Sequence, residues 1–229
     1  MRKKALLFDL DNTILDFSKA EAHAMAFTIQ HFQAFIENAE LFEKTFSQIN
    51  NHLWKKVHLG ELSSHEVQQL RFSHLVDSLN LSIEATQIAQ VYETSLTHPI
   101  FWLEQAEATM HQLKATHLLG IITNGFTHVQ KPRLENSKLS AIASVNLIAE
   151  DVGIAKPDKR IFEMALDALQ VAPQETLMVG DSLEADFQGA LNANIDFCWI
   201  NPANEPLLKH LPTPQITIHS IAQLPNYLS

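Results

Sequence analysis

Four polar clusters in this chain sit directly behind short apolar runs, and together they hold the residue types that phosphate chemistry needs. Asp9-Leu10-Asp11-Asn12-Thr13 follows Ala5-Leu6-Leu7-Phe8, and Thr123-Asn124-Gly125 follows Leu118 to Ile122. Lys156-Pro157 lies in the turn after 145–149, and Gly180-Asp181, with Asp186 five residues on, follows Leu177 to Val179. In an extended chain Asp9 and Asp11 point to the same side, so two carboxylates stand at one mouth. Carboxylates that converge push each other's pKa upward unless a cation neutralises them, and hard oxygen donors in a partly open site suit Mg2+. Thr123 offers a hydroxyl, Asn124 and Gly125 offer backbone N–H groups at a helix start, and Lys156 offers a full charge, a set that favours phosphate. Asp9 is then placed to attack phosphorus, splitting one hard step into two. Asp11 is placed to protonate the leaving oxygen and later to deprotonate water, a role worth roughly 10²–10⁴-fold.

These clusters meet only if the apolar runs are strands of one sheet. Beyond Pro99, strand-like runs at 118–122, 145–149, 177–179, 197–200 and 216–218 alternate with helical segments near 104–115, 126–137, 158–170 and 184–193. Such alternation implies a parallel sheet with helices on both faces, whose strands gather ligand groups at their carboxyl ends. Ala5 to Phe8 joins it as the first strand. From Ser18 to about His98 the spacing is helical instead. Ser18 with Glu21 reads as a capping box ahead of Ala22, Met25, Ala26, Ile29, Phe32 and Ile36. A helix holding Phe42, Phe46, Ile49 and Leu53 ends before Gly60, Ser63 with Glu66 forms a second box, and Ser82 caps a fourth helix with Ile88 and Val91. The expected fold class is α/β: a doubly wound parallel-sheet core at 1–16 and 93–229, with an all-helical insertion at 17–92.

Composition removes several rivals. The 229 residues are 46% apolar and 18% charged, ample for a core. Acids outnumber bases 26 to 16 without a Lys/Arg stripe, which argues against a nucleic-acid polymer as partner. Uninterrupted apolar runs stop at four residues, too short for a membrane span, and Asp9 ends the N-terminal apolar run too early for a signal peptide. Cys198 stands alone, so no internal disulfide is expected and a cytoplasmic location is the default. The six glycines form neither GxGxxG nor GxxxxGK[ST], so the dinucleotide and Walker-type loops are absent. His65-Glu66-Val67-Gln68-Gln69 lacks the second His of a zinc motif.

The clusters resemble, in order, the four motifs of the haloacid dehalogenase-like phosphatase superfamily: DxDxT at Asp9 to Thr13, the Thr123-Asn124-Gly125 turn, Lys156-Pro157, and GDxxxD at Gly180 to Asp186. The resemblance implies a Rossmann-like core with a type-one helical cap. It assigns Asp9 as nucleophile, Asp11 as acid/base, and Thr123 and Lys156 as phosphate binders. It implies Mg2+ held by Asp9, the backbone carbonyl of Asp11 and Asp181, with Asp186 in the outer shell. A narrower similarity carries Asn51-His52-Leu53-Trp54, Ile121 to Phe126, Gln130 with Arg133, Val152 to Pro157 and Cys198 to Asn201. These stretches look like the YjjG-type pyrimidine 5'-nucleotidases, which act on monophosphates such as UMP, dUMP and TMP. Glu104-Gln105 stands where that family has Pro-Gly, Asn194 where it has Gly, and Pro132 interrupts the segment holding Arg133, to which no role is assigned.

The expected activity is Mg2+-dependent hydrolysis of a small phosphomonoester through an aspartyl phosphate, by a monomer or homodimer. A pyrimidine nucleoside monophosphate is the leading substrate. A sugar or sugar-acid phosphate phosphatase uses the same core chemistry, and an inactive phosphate-binding scaffold is the non-enzymatic rival. Dehalogenases of the superfamily lack the acid at the position of Asp11, and a phosphate-receiver domain lacks the insertion. Asp16 and Glu184 read as helix-start acids, His128 as a surface residue near the phosphate turn, Trp54, Phe42 and Phe46 as insertion core, and Cys198 as an inert buried thiol.

Overall fold

The apolar runs pair edge to edge. The computed structural model describes residues 3–58 and 60–228. Strands β1 (Ala5–Phe8), β2 (Leu118–Thr123), β3 (Val145–Ile148), β4 (Thr176–Gly180), β5 (Asp196–Ile200) and β6 (Ile216–Ile218) form one sheet in the order β3-β2-β1-β4-β5-β6. Every pairing is parallel, with Phe8 opposite both Ile121 and Val179. The chain winds from β1 outward to β3, then returns to build β4, β5 and β6 on the other side. The winding direction therefore reverses between β1 and β4, the place where open parallel sheets leave a crevice beyond their strand ends.

Helices α1 (Phe17–His31), α2 (Ala39–His58), α3 (Ser64–Leu79), α4 (Ala85–Leu96) and α5 (Ala106–Lys114) separate β1 from β2. Helices α6 (Thr127–Asn136) and α7 (Leu139–Ile142) precede β3. Helices α8 (Ala149–Val152) and α9 (Lys159–Leu169) precede β4, and α10 (Gln188–Asn192) precedes β5. Side chains alternate across the sheet as a two-residue repeat requires. Leu6, Phe8, Ile121, Val179 and Cys198 pack on one face with Met110 of α5, Leu134 of α6 and Leu139 of α7. Leu7, Ile122, Met178 and Phe197 pack on the other with Ile161, Phe162 and Ala165 of α9 and Ala190 of α10. Burial pushes the Cys198 thiol up to about 12, which keeps it protonated and unreactive.

Helix α10 lies so close to α9 that Gly189 has no space for a side chain. A Cβ there would stand 2.3 Å from the Phe162 ring, and the Pro157 backbone lies 3.3 Å away. Gly189→Ala gains ~1 kcal/mol of helix propensity but overpacks a fully buried ring, at a cost of ~1–3 kcal/mol. The expected outcome is a net loss of stability, seen as a lower midpoint in urea unfolding.

The chain divides into two compact units, 1–17 with 100–229, and 18–99. The insertion expected at 17–92 thus runs on to Pro99, because α4 continues through position 92 to Leu96. Within 18–99, Phe46 stacks on Phe72 with centroids 5.3 Å apart and meets Tyr92 at 5.0 Å. Buried Arg71 donates to Glu93 at 2.6 Å beside these rings. Phe42 belongs to this core, whereas Trp54 is only half-buried. The Ser63/Glu66 box is present. The other two expected caps are not. Helix α1 begins at Phe17, its N–H received by Asn12 Oδ1 at 3.1 Å, so Ser18 lies inside the helix. It also ends at His31, so Phe32 and Ile36 fall in the following turn. Helix α4 begins after Glu84, not Ser82. Among the described residues, no helix is long and apolar enough to cross a membrane.

Candidate active site

The two acids behind β1 take different partners. Asp9 continues the ladder by one bond, its N–H donating to the Val179 carbonyl at 2.9 Å. The chain then closes tightly, with the N–H groups of Ile14 and Leu15 both reaching the Leu10 carbonyl at 3.0 Å and Asn12 in the left-handed region at φ 56°. Asp11 lies beyond the strand, in an isolated bridge to Leu15, and its charge still acts on Asp9. The Asp9 carboxylate meets Lys156, whereas that of Asp11 meets Gln130 and Arg133.

Lys156 ties three cluster ends together. Its Nζ donates to Asp9 Oδ1 at 2.5 Å and to Asp186 Oδ1 at 2.7 Å, and the side chain is buried. Carboxylate oxygens of Asp9, Asp181 and Asp186 lie within 4.8 Å of one another. Asp186 is fully enclosed and has both oxygens engaged, Oδ1 by Lys156 and Oδ2 by the Ser182 N–H at 3.1 Å. The bare backbone of Gly180 permits this, since a Cβ there would stand 2.3 Å from Asp186 Oδ2. Asp181 accepts the Thr13 hydroxyl at 3.3 Å, and its carbonyl accepts Trp199 Nε1–H at 3.0 Å.

The electrostatics follow from burial. Desolvation pushes the Asp9 carboxyl well above the ordinary carboxylate range; Lys156 pulls it back, while Asp186, Asp181 and Asp11 push further. Asp181 is pushed up to about 7, first by burial and then by Asp186, against the pull of Lys156 and the Thr13 hydrogen bond. Burial alone would lower the Lys156 ammonium, but Asp186 and Asp9 override it and hold it charged. Counted as fully ionised, Asp9, Asp11, Asp181 and Asp186 outnumber Lys156 and Arg133, the cations paired with this group among the described residues, by two charges. All-oxygen donors with that excess fit a hard divalent cation. Asp9 and Asp181 are the side chains with donor atoms to offer it, because both Asp186 oxygens are already bonded.

The phosphate turn is more self-contained than its sequence suggests. The Asn124 side chain closes a ring with the Lys156 backbone, Nδ2 donating to the Lys156 carbonyl and Oδ1 accepting its N–H, each at 2.9 Å. The Gly125 N–H donates to Thr123 Oγ1 at 3.3 Å. The start of α6 already holds an anion, with the Thr127 N–H donating to Glu150 Oε2 at 2.7 Å. Asn124 thus fixes the backbone of Lys156, Thr123 engages the Gly125 N–H, and the protein's own Glu150 caps the first N–H of α6. His128 stacks on Phe126 with centroids 5.8 Å apart.

The sequence reading gave no role to Gln130 and Arg133. Both are buried, and both grip Asp11, Gln130 Nε2 on Oδ2 at 2.6 Å and Arg133 Nη1 on Oδ1 at 2.5 Å. Their i, i+3 spacing just behind Thr123 was the available signal. Pro132 obscured it, since an internal proline reads as a helix break, yet α6 runs through it. Thr13 and Trp199 likewise reach Asp181 from outside the expected set.

A family model described as haloacid dehalogenase-like hydrolase matches residues 3–194. The chain is 32% identical over 217 residues to the HAD-hydrolase YfnB of Bacillus subtilis (strain 168), covering 94% of this chain and 92% of that one. The crystal structure of YfnB bound to magnesium superposes with a TM-score of 0.90 at 31% identity, covering all of both chains. Identity is 33% over 201 residues to the pyrimidine 5'-nucleotidase PynA of Streptococcus pneumoniae (strain ATCC BAA-255 / R6), covering 87% of this chain and 84% of that one. It is 28% over 231 residues to the pyrimidine 5'-nucleotidase YjjG of Escherichia coli (strain K12), covering 97% and 96%.

Proposed function

The chain belongs to the haloacid dehalogenase-like hydrolase family, and from its site we propose that it is a phosphoric monoester hydrolase that removes the 5'-phosphate of pyrimidine nucleoside monophosphates. The observation that carries the reading is Lys156, buried and bonded to Asp9 beside the acidic cluster. An ammonium there screens an attacking carboxylate from the phosphate dianion it must approach, and phosphoryl transfer depends chiefly on such positioning and charge.

In the proposed sequence an Asp9 oxygen attacks phosphorus, the phosphorus–ester oxygen bond breaks, and Asp11 gives its proton to the leaving 5'-oxygen. The product is an aspartyl phosphate on Asp9. Asp11, now a carboxylate, takes a proton from water as that water attacks phosphorus, and Asp9 and inorganic phosphate are released. Thr123 and Lys156 hold phosphate oxygens, and Asn124 keeps Lys156 in place. Asp9, the Asp11 carbonyl and Asp181 would hold Mg2+, which when bound supplies the missing positive charge and shields the incoming phosphate. The magnesium bound to YfnB supports the choice of cation. The 18–99 unit is proposed as the cap that selects the organic group.

The pyrimidine preference rests on the PynA and YjjG relatives, and a turnover panel tests it. Phosphate release from UMP, dUMP and TMP should exceed that from purine monophosphates and sugar phosphates by at least ~10-fold in kcat/KM, a step of ~1.4 kcal/mol in transition-state binding. A sugar phosphate at the head of the panel would overturn the substrate, and no release from any ester would overturn the enzyme.

A further inference from the structure

We propose that Arg133 and Gln130 are positioning residues that set the orientation of Asp11 for proton transfer. The inference rests on the acid/base role proposed for Asp11 and deepens it.

The geometry is a closed network. Arg133 Nη1 donates to Asp11 Oδ1 at 2.5 Å and to Gln130 Oε1 at 2.7 Å. Gln130 Nε2 donates to Asp11 Oδ2 at 2.6 Å and to Thr123 Oγ1 at 2.9 Å. One amide thus joins the proposed acid, a proposed phosphate binder and a cation. Gln130 itself has little freedom, since even a Cβ on Gly125 would stand 2.3 Å from its Nε2. The Arg133 guanidinium lies over the Phe17 ring, 5.3 Å from its centroid.

Burying a guanidinium is expensive, and replacing a buried ion pair by apolar groups is often neutral or stabilising. Fold stability alone is therefore a weak reason for this pair, and its position supplies a better one. Asp11 lies past the end of β1, where an isolated bridge to Leu15 holds its backbone but not its carboxyl, and its side chain is 25% exposed. A carboxyl serving two proton transfers needs a defined direction, and a displacement of ~1 Å costs ~10²-fold. The charged bond to Oδ1 fixes the carboxyl, and the neutral amide on Oδ2 can be exchanged for the leaving oxygen or for water.

Leaving-group dependence tests this without reference to the cap's substrate. Phenyl phosphate and p-nitrophenyl phosphate differ little in shape, but phenoxide needs a proton far more than p-nitrophenoxide does. In the full chain with Mg2+, Arg133→Met should lower kcat/KM for phenyl phosphate at least ~10-fold more than for p-nitrophenyl phosphate, the skew expected when a general acid is misdirected. Asp11→Asn should show the same skew more strongly, and Arg133→Lys should recover part of it. Circular dichroism checks folding, and if Arg133→Met unfolds, Gln130→Leu carries the same comparison. Equal losses on the two esters would overturn the positioning role and leave a structural one. Absence of skew in Asp11→Asn would remove the acid itself, and wild-type inactivity on both esters would remove the phosphatase reading; the inference falls with either.

Discussion

Asp9→Asn leaves a folded protein whose phosphate release is at least ~10⁴-fold slower than wild type, the scale on which covalent enzymes lose turnover when the nucleophile is removed. The substitution keeps shape and volume, and an amide oxygen can still accept from Lys156 Nζ where Asp9 Oδ1 does now. It also removes one negative charge from a cluster that holds two in excess, so the fold is not weakened electrostatically. What it removes is the anionic oxygen proposed to attack phosphorus. The label decides the mechanism, because an Asp9 that only oriented a cation while water attacked directly would never carry the phosphoryl group. Acid quenching during wild-type turnover should trap label from the substrate on the protein, released by hydroxylamine as expected of an acyl phosphate. Asp9→Asn should trap none.

The groups on or beside the central strands were legible because a parallel sheet leaves little choice about where they go. Once Ala5–Phe8, Leu118–Thr123 and Thr176–Gly180 are adjacent, Asp9, Thr123 and Asp181 must emerge side by side, and any sequence with this alternation says so. Lys156 was legible for another reason: a lone cation among converging acids has an obvious electrostatic destination. Asn194 was readable too, taking φ 57° where the related family has glycine. Gln105, also in the left-handed region at φ 59°, carries no such signal in its side chain.

What escaped the sequence are interactions in which a long-range partner outbids a local rule. Ser18 and Glu21 have the spacing of a capping box, but Asn12 accepts the Phe17 N–H and the helix starts two residues earlier than that box would place it. Glu150 lies 23 residues from the Thr127 N–H it caps, a pairing with no local signal. Asp11 acts on Asp9 as expected of neighbouring acids, but its carboxylate is taken by Gln130 and Arg133, which lie more than a hundred residues on.

Divalent cations provide the second large effect. Chelation by EDTA should abolish turnover, by at least ~10³-fold, and excess Mg2+ should restore it, because Asp9 and Asp181 are held in a buried cluster whose own cations leave two negative charges uncompensated. Binding also has a signature independent of catalysis. A ligand taken only by the folded state stabilises it by ~2.7 kcal/mol at 100 times its Kd. For a unit of this size each kcal/mol moves the thermal midpoint by ~2–4 °C, so saturating Mg2+ should raise Tm by roughly 5–10 °C. The variants then separate the ligand roles. Asp181→Asn removes a carboxylate donor and should lose most of the shift. Asp11→Asn should keep it, since that residue is assigned its backbone carbonyl and its carboxylate is held away by Arg133 and Gln130. A shift lost equally in both would place the Asp11 side chain on the cation and take it out of the proton-transfer role. No shift in the wild type would mean that Lys156 and Arg133 neutralise the cluster unaided.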